Sequence, residues 1–324
     1  MARMQRGVIN METGDKMNRR YVISRRLLIF WTLFIGIGAV AGATGMFVAP
    51  DGSAMGMQDM MPYFQVLPLS KYLYKDYVFP GIALLCVNGI TNLVAAALLL
   101  RKKPSGIILG TIFGVTLMAW ICIQFVIFPL NFMSTTYFFF GMAQAVTGYV
   151  CWVSFKQDRF LEESRSKIYR NIGKNPKELV VYFSRRGYVR AIARQVADAC
   201  GGELLELTTE ELTEGIAGFW WCGRFGMHKW PMPINQNDIP VERYDCVTIC
   251  TPIWVFSIAA SIREFCKMYH GRICKARYVT VHFQPAVYRK AKRELDELLG
   301  ICGENYTSVC CELGRFKRML LRDH

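Results

Sequence analysis

Histidine is scarce in this chain of 324 residues, and all four, His228, His270, His282 and His324, lie in the C-terminal half. A bis-histidine haem inside the apolar N-terminal half is thereby excluded. Cys-x-x-Cys pairs are absent: the twelve cysteines are scattered, and only Cys310 and Cys311 are adjacent. Iron–sulfur ligation uses tighter clusters than this, so no metal site is expected. The cysteines read instead as small buried hydrophobes in a reducing compartment. Acidic residues are few, 25 against 39 Lys and Arg, for a net charge of +14. That excess does not mark a nucleic-acid face, because from Lys177 onward the balance is 21 Lys and Arg against 17 Asp and Glu, and no nucleic-acid motif accompanies it.

Charge is missing altogether from four long apolar segments, Leu27 to Val48, Phe79 to Leu100, Gly106 to Phe128 and Tyr137 to Phe155. Each approaches the roughly 20 residues that a helix needs to cross a ~30 Å hydrocarbon core. The first is too long for a signal peptide and lacks a small-residue cleavage site, so it is expected to be retained. Polar residues within the segments, Asn88, Thr91, Asn92, Gln124 and Gln144, are of the kind that hydrogen-bond between membrane helices or hold a polar ligand.

The basic residues flank these segments asymmetrically. Arg19, Arg20, Arg25 and Arg26 precede the first, Arg101, Lys102 and Lys103 separate the second and third, and Lys156, Arg159, Arg165 and Lys167 follow the fourth. All three clusters fall on one side, which the positive-inside rule makes cytoplasmic, with both termini there. The expected organisation is a basic N-terminus (1–26), four spans (27–155), a basic linker (156–176) and a soluble domain (177–324). It places the protein in the cell (cytoplasmic) membrane, with the bilayer and its anionic headgroups as partners.

Beyond Lys177 short apolar runs alternate with amphipathic helical patterns. The runs are Leu179 to Phe183, Leu204 to Leu207, Cys246 to Cys250, Tyr278 to His282 and Tyr306 to Cys311. Helical patterns occupy Val189 to Cys200, Ile258 to Tyr269 and Ala286 to Leu299. Such alternation predicts right-handed βαβ units around a parallel sheet buried on both faces. The first run passes through Ser184-Arg185-Arg186-Gly187-Tyr188 into a helix opening at Val189, and a loop of that kind presents backbone N–H groups and a helix dipole to a phosphate. Gly187 permits close backbone approach. After the third run comes Thr251-Pro252-Ile253-Trp254, where a flat aromatic face is available for stacking. His282 and Phe283 end the fourth run; His282 is a candidate proton donor and Phe283 a second aromatic cover.

Tyr182-Phe183-Ser184-Arg185-Arg186-Gly187 and Thr251-Pro252-Ile253-Trp254 resemble the flavodoxin family, over roughly residues 177–313. The resemblance implies an α/β flavodoxin-like domain with parallel strand order 2-1-3-4-5 and FMN at the carboxyl ends of the strands. The residues it assigns to the cofactor are Ser184, Arg185, Arg186, Gly187, Tyr188, Val189, Thr251, Pro252, Ile253, Trp254, His282 and Phe283, with Ser257 as a further polar contact. The first loop departs from the family's S-x-T-G-x-T pattern, since Arg186 and Val189 stand where hydroxyl residues are usual. Only Arg315 to His324 remain after the fifth run, so the last helix is expected to be truncated, leaving a sheet face for the membrane domain or a second copy to cover. The aromatic segment from Thr209 to Pro240, with Phe219, Trp220, Trp221, Phe225, Met227 and Trp230, is too long and too apolar for a plain loop; its expected roles are to cover the flavin site, to contact a partner chain, to touch the bilayer interface, or to form a satellite core.

Three functions are compatible with this reading. The first is a membrane-anchored flavodoxin-like protein that carries FMN-dependent electron transfer or oxidoreductase chemistry, with a quinone or a redox protein as partner. The second is a cofactor-free flavodoxin-like module for interaction or sensing. The third is a quinone-linked dehydrogenase of a hydrophobic substrate.

Overall fold

Residues 19–319 are described by the computed structural model, and the chain divides into two compact units between Asp158 and Arg159. Most of the expected basic N-terminus (1–26), together with the chain end at His324, lies outside the described residues.

The first unit is helical. Helix α1 (Arg19–Val48) is followed by two 3₁₀ segments, Ser53–Met55 and Gln58–Val66, and the short α2 (Ser70–Leu73). The second apolar stretch is α3 (Val78–Leu84), a π-helical turn (Leu85–Ile90) and α4 (Thr91–Leu100); α5 (Pro104–Ile127) and α6 (Phe132–Ser166) complete the unit's helices. All four apolar stretches are long and apolar enough to cross a membrane. Glycine lets α5 and α6 approach closely: a Cβ on Gly114 would lie 2.6 Å from the Ala145 amide nitrogen, and one on Gly141 would lie 2.9 Å from the Gly114 carbonyl. Gln144 Nε2 donates to Asn92 Oδ1 at 2.8 Å and to the Gly110 carbonyl at 2.7 Å, tying α6 to α4 and α5 as the sequence predicts. Asn88, in the π-helical turn, is buried with neither side-chain polar atom bonded.

The second unit is built on a mixed sheet. Its strands are β1 (Asn175–Tyr182), β2 (Gly202–Glu206), β3 (Cys246–Trp254), β4 (Ser257–Ile258), β5 (Ala276–His282), β6 (Asn305–Glu312) and β7 (Arg315–Met319). The order is β2-β1-β3-β5-β6-β7, with β4 paired to β3 outside that path. This differs from the expected five-strand order 2-1-3-4-5 by two additions. Strands β1, β2, β3, β5 and β6 are parallel, whereas β4 and β7 are antiparallel to their neighbours. Helix α7 (Tyr188–Cys200) packs on one face through Val189, Ile192, Ala193 and Ala197. On the other face lie α9 (Ala260–Met268) and α10 (Arg289–Leu299), through Ile262, Phe265, Leu295 and Leu299, with α8 (Gly215–His228) in the Thr209–Pro240 segment. The central strands are apolar runs because helices cover both of their faces.

The expectation of a truncated closing helix is corrected. Leu313 (φ +49°) and Gly314 (φ +96°) both take left-handed backbone, and such a two-residue turn favours a hairpin, so the chain returns as β7 rather than starting a helix. Phe316 on β7 joins the core on the α7 face. Phe160, from the last turns of α6 that belong to this unit, packs tilted against Tyr188 at 4.9 Å and meets Phe316 edge-on at 5.5 Å. Aromatic contacts from both ends of the unit therefore cover part of the face that a closing helix would have shielded.

Candidate functional site

Three loops at the carboxyl ends of β1, β3 and β5 converge on one cleft of about 220 Å³. A doubly wound sheet produces such a crevice where strand order reverses, here between β1 and β3.

In the first loop the Ser184 hydroxyl accepts the Gly187 N–H at 3.1 Å and closes the turn. Gly187 (φ +83°) is the N-cap of α7, and no side chain caps that helix end. The first-turn N–H groups of a helix have no intrahelical acceptor, so this uncapped end offers donors of the kind that suit an anion. Arg185 is turned aside: its guanidinium donates to the carbonyls of Thr213 and Gly215 and lies 5.5 Å from the Phe219 ring. It therefore fastens the start of α8 to the first loop. Arg186 lines the cleft with Ser184, Tyr188 and Val189. Burial pushes the Tyr188 phenol up to about 12, so it stays protonated.

The second loop is a tight hairpin. Ile253 pairs with Ile258 and Trp254 with Ser257, leaving Val255 (φ +46°) and Phe256 (φ +63°) as the turn. Both are left-handed non-glycine residues, and each costs roughly 1–2 kcal/mol. A buried ionic network holds the hairpin against that cost. Arg263 on α9 is 2% exposed and donates through Nε to Glu294 Oε1 at 3.0 Å, through Nη2 to the same oxygen and to Ser257 Oγ at 2.6 Å each, and through Nη1 to the Trp230 carbonyl at 3.1 Å. Ser257 in turn donates to Glu294 Oε2 at 2.8 Å. Trp254 is half-buried, edge-on to Phe183 at 5.4 Å, and its backbone lies against Gly226 of α8.

In the third loop His282 is buried and lines the cleft. Its Nδ1 bonds the Gln284 carbonyl at 2.6 Å and its Nε2 the Ser308 hydroxyl at 2.7 Å. A carbonyl only accepts, so Nδ1 carries the proton and Nε2 accepts from Ser308. Desolvation holds this imidazole below its ordinary value and keeps it neutral, which suits that tautomer. Phe283 stands 62% exposed at the rim, edge-on to Tyr188 at 6.1 Å.

Of the residues that the sequence assigns to a cofactor, Ser184, Arg185, Arg186, Tyr188, Val189, Pro252, Ile253, Trp254, His282 and Phe283 line this cleft. Gly187 and Thr251 do not. Thr251 is buried, bonding the Pro252 carbonyl and accepting the Ala259 N–H, and Ser257 is consumed by Arg263 and Glu294. Phe219, from the aromatic segment for which covering the site was one expectation, also lines the cleft, and sequence reasoning missed Cys222, Gly223, Val255, Val281 and Cys311, which complete the lining. Burial pushes the Cys222 and Cys311 thiols up to about 11, so neither is a thiolate near neutral pH. Arg263 and Glu294 were also missed, although an arginine beside Ile262 and Cys266 on the apolar stripe of α9 was a legible sign of a buried ion pair.

No protein-family model matches this chain, and no curated protein matches it either. Solved structures do. A "Putative flavoprotein" from Bacteroides uniformis ATCC 8492 is 21% identical, with 41% of this chain and 90% of that chain covered, at a TM-score of 0.37. A flavoprotein in complex with FMN from Lactobacillus acidophilus NCFM is 17% identical, with 41% and 93% covered, at a TM-score of 0.35.

Whether the cleft suits FMN is answered by its own donor set. A phosphomonoester needs converging N–H donors and positive potential, and the uncapped start of α7 beside Arg186 supplies both. A flat apolar ring system needs aromatic walls, and Trp254, Phe219 and Phe283 flank a lining that is otherwise mostly apolar. The donor set and the aromatic walls suit the group, without the side-chain hydroxyls that such loops usually contribute; at about 220 Å³ the cleft is smaller than the ~300–1,000 Å³ of small-molecule sites, so part of FMN would stand outside it.

Proposed function

We propose that this protein is a membrane-anchored flavoprotein whose C-terminal unit binds FMN in the three-loop cleft and carries electron transfer or oxidoreductase chemistry at the cytoplasmic membrane face. The observation that carries the reading is the convergence of an uncapped helix end, Arg186 and an aromatic-walled apolar cleft at the carboxyl ends of β1, β3 and β5. The basic flanks of the four apolar helices support the cytoplasmic orientation.

In this reading the first-turn amides of α7 and Arg186 hold the phosphate, and Trp254 and Phe283 bound the ring. The bound flavin supplies two-electron acceptance with release of single electrons. The chain's own residues orient and shield. Arg185 holds α8 and its Phe219 over the cleft, and the Arg263–Glu294–Ser257 network fixes the hairpin that carries Trp254. His282 keeps its proton on Nδ1, and a proton reaching Nε2 comes by way of Ser308. A lipid-soluble quinone is the acceptor class that anchoring concentrates.

One observation favours a cofactor-free interaction module instead: Arg185, Thr251 and Ser257 spend their polar groups on the protein itself. Purification of the full chain in detergent separates the two readings. Flavin absorbance, with FMN released on denaturation, supports the flavoprotein. A colourless chain that takes up no added FMN supports the module.

A further inference from the structure

The helical unit contains a second cavity, of about 660 Å³, at the end of the bundle that carries the connection between the first two spans. This volume falls within the ~300–1,000 Å³ of small-molecule sites. The walls come from the ends of four helical stretches: Met46 of α1, Phe79 to Leu84 of α3, Trp120 to Ile127 of α5 and Phe132 to Ser134 of α6.

The connection between α1 and α3 forms the roof. It folds into 3₁₀ helices that contribute Met55, Met60 and Phe64 to the lining, with Met57 from the link between them. Tyr77 fixes this roof, since its hydroxyl donates to the Met57 carbonyl at 2.6 Å and its N–H to the Pro50 carbonyl at 2.9 Å. Phe64 stacks on Tyr74 at 5.4 Å and meets Phe128 edge-on at 5.9 Å, joining the roof to the end of α5. Methionine-rich walls adapt to an apolar body of irregular shape.

Among the described residues no Asp, Glu, Lys, Arg or His lines the cavity, so a charged ligand would meet no counter-charge from them. It does have one directed polar feature. The Ser134 N–H donates to Asn131 Oδ1 at 2.8 Å, which sets the Asn131 amide with Nδ2 toward Ser134 Oγ at 2.9 Å. Having accepted that bond, the Ser134 hydroxyl donates to Gln124 Oε1 at 3.2 Å. The relay orients the Gln124 amide and leaves its two Nε2–H donors as the end of the chain, on a side chain that lines the cavity.

We propose that this cavity is a binding site for an uncharged, lipid-soluble molecule bearing a carbonyl, whose oxygen accepts from Gln124 Nε2 while its apolar body fills the methionine and aromatic chamber. Two sources share this chemistry, an isoprenoid-type quinone and an acyl ester, and neither assignment depends on flavin in the other unit.

The test uses the full chain in detergent micelles, with decylubiquinone and methyl 9,10-dibromostearate as quenching probes. Trp120 lines the cavity, so the signal is the quenching lost in Trp120→Phe. Saturable quenching by either probe is expected, and the probe that saturates identifies the source. Gln124→Leu, which retains the apolar volume but removes the donors, is expected to weaken binding about five- to ten-fold, the usual worth of one hydrogen bond. Ala83→Phe, which intrudes on the chamber without adding a second indole, is expected to abolish it. Quenching that does not saturate with either probe, or that is indifferent to both Gln124→Leu and Ala83→Phe, overturns the proposal. Thermal unfolding of each variant at the parent's temperature excludes misfolding as the cause.

Discussion

Removing the guanidinium of Arg263 tests how the cleft is held. Arg263 is 2% exposed and bonds Glu294 Oε1, Ser257 Oγ and the Trp230 carbonyl. In Arg263→Met the flexible side chain retains most of the packing, so the loss is chiefly electrostatic. Glu294, only 15% exposed, keeps the Ser257 hydroxyl as its remaining partner. Breaking a buried ion pair from one side costs about 3–5 kcal/mol, because the other charge stays in low dielectric. For a unit of this size that lowers the melting temperature by about 6–20 °C. The companion variant Arg263→Met/Glu294→Leu removes the stranded charge and is expected to recover at least ~2 kcal/mol. Thermal unfolding in detergent measures both, and hydrogen exchange across Ile253–Ile258 reports the hairpin directly. The reasoning fails if Arg263→Met costs under ~1 kcal/mol, or if the double variant is no more stable than the single one.

Two further outcomes follow from the loops. Val255→Gly is expected to raise the melting temperature by about 1–4 °C, because relief of roughly 1–2 kcal/mol of left-handed strain at φ +46° exceeds the ~0.5–1 kcal/mol entropic cost of glycine; Val255→Ala, which keeps a Cβ, gives no such gain. His282 is held below its ordinary value of 6.5 by desolvation. Its folded state therefore binds fewer protons than the unfolded chain below that pH, and stability is expected to fall as the pH drops through 6.5. Denaturation profiles of His282→Gln should lose that component, and an unchanged acid limb would refute the assignment.

Much of the architecture was legible because two periodicities are unambiguous. Four uncharged apolar runs of about twenty residues have few alternatives to membrane helices, and apolar runs alternating with amphipathic helices specify a parallel α/β sheet. β7 was illegible because Arg315–Met319 is short and charged, and the Leu313–Gly314 turn, rather than any strand propensity, decides its fate. The cleft was legible where backbone chemistry defines it, at Ser184 to Val189 and at Trp254. It was opaque at Thr251 and Ser257, since a hydroxyl near a strand end looks the same in sequence whether it faces a ligand or closes an internal network. The aromatic run around Phe219 was legible as a possible cover for the cleft, but the Arg185 contacts that fasten it there are long-range and have no local signal.

Titration of the flavin-depleted full chain with FMN, and in parallel with riboflavin, tests the central claim most directly. Riboflavin has the ring but no phosphate. Saturable FMN binding at about one per chain, with riboflavin at least ten-fold weaker, is the result predicted by a phosphate held at the uncapped start of α7 and by Arg186. Absence of binding, or equal affinity for the two, would contradict the account.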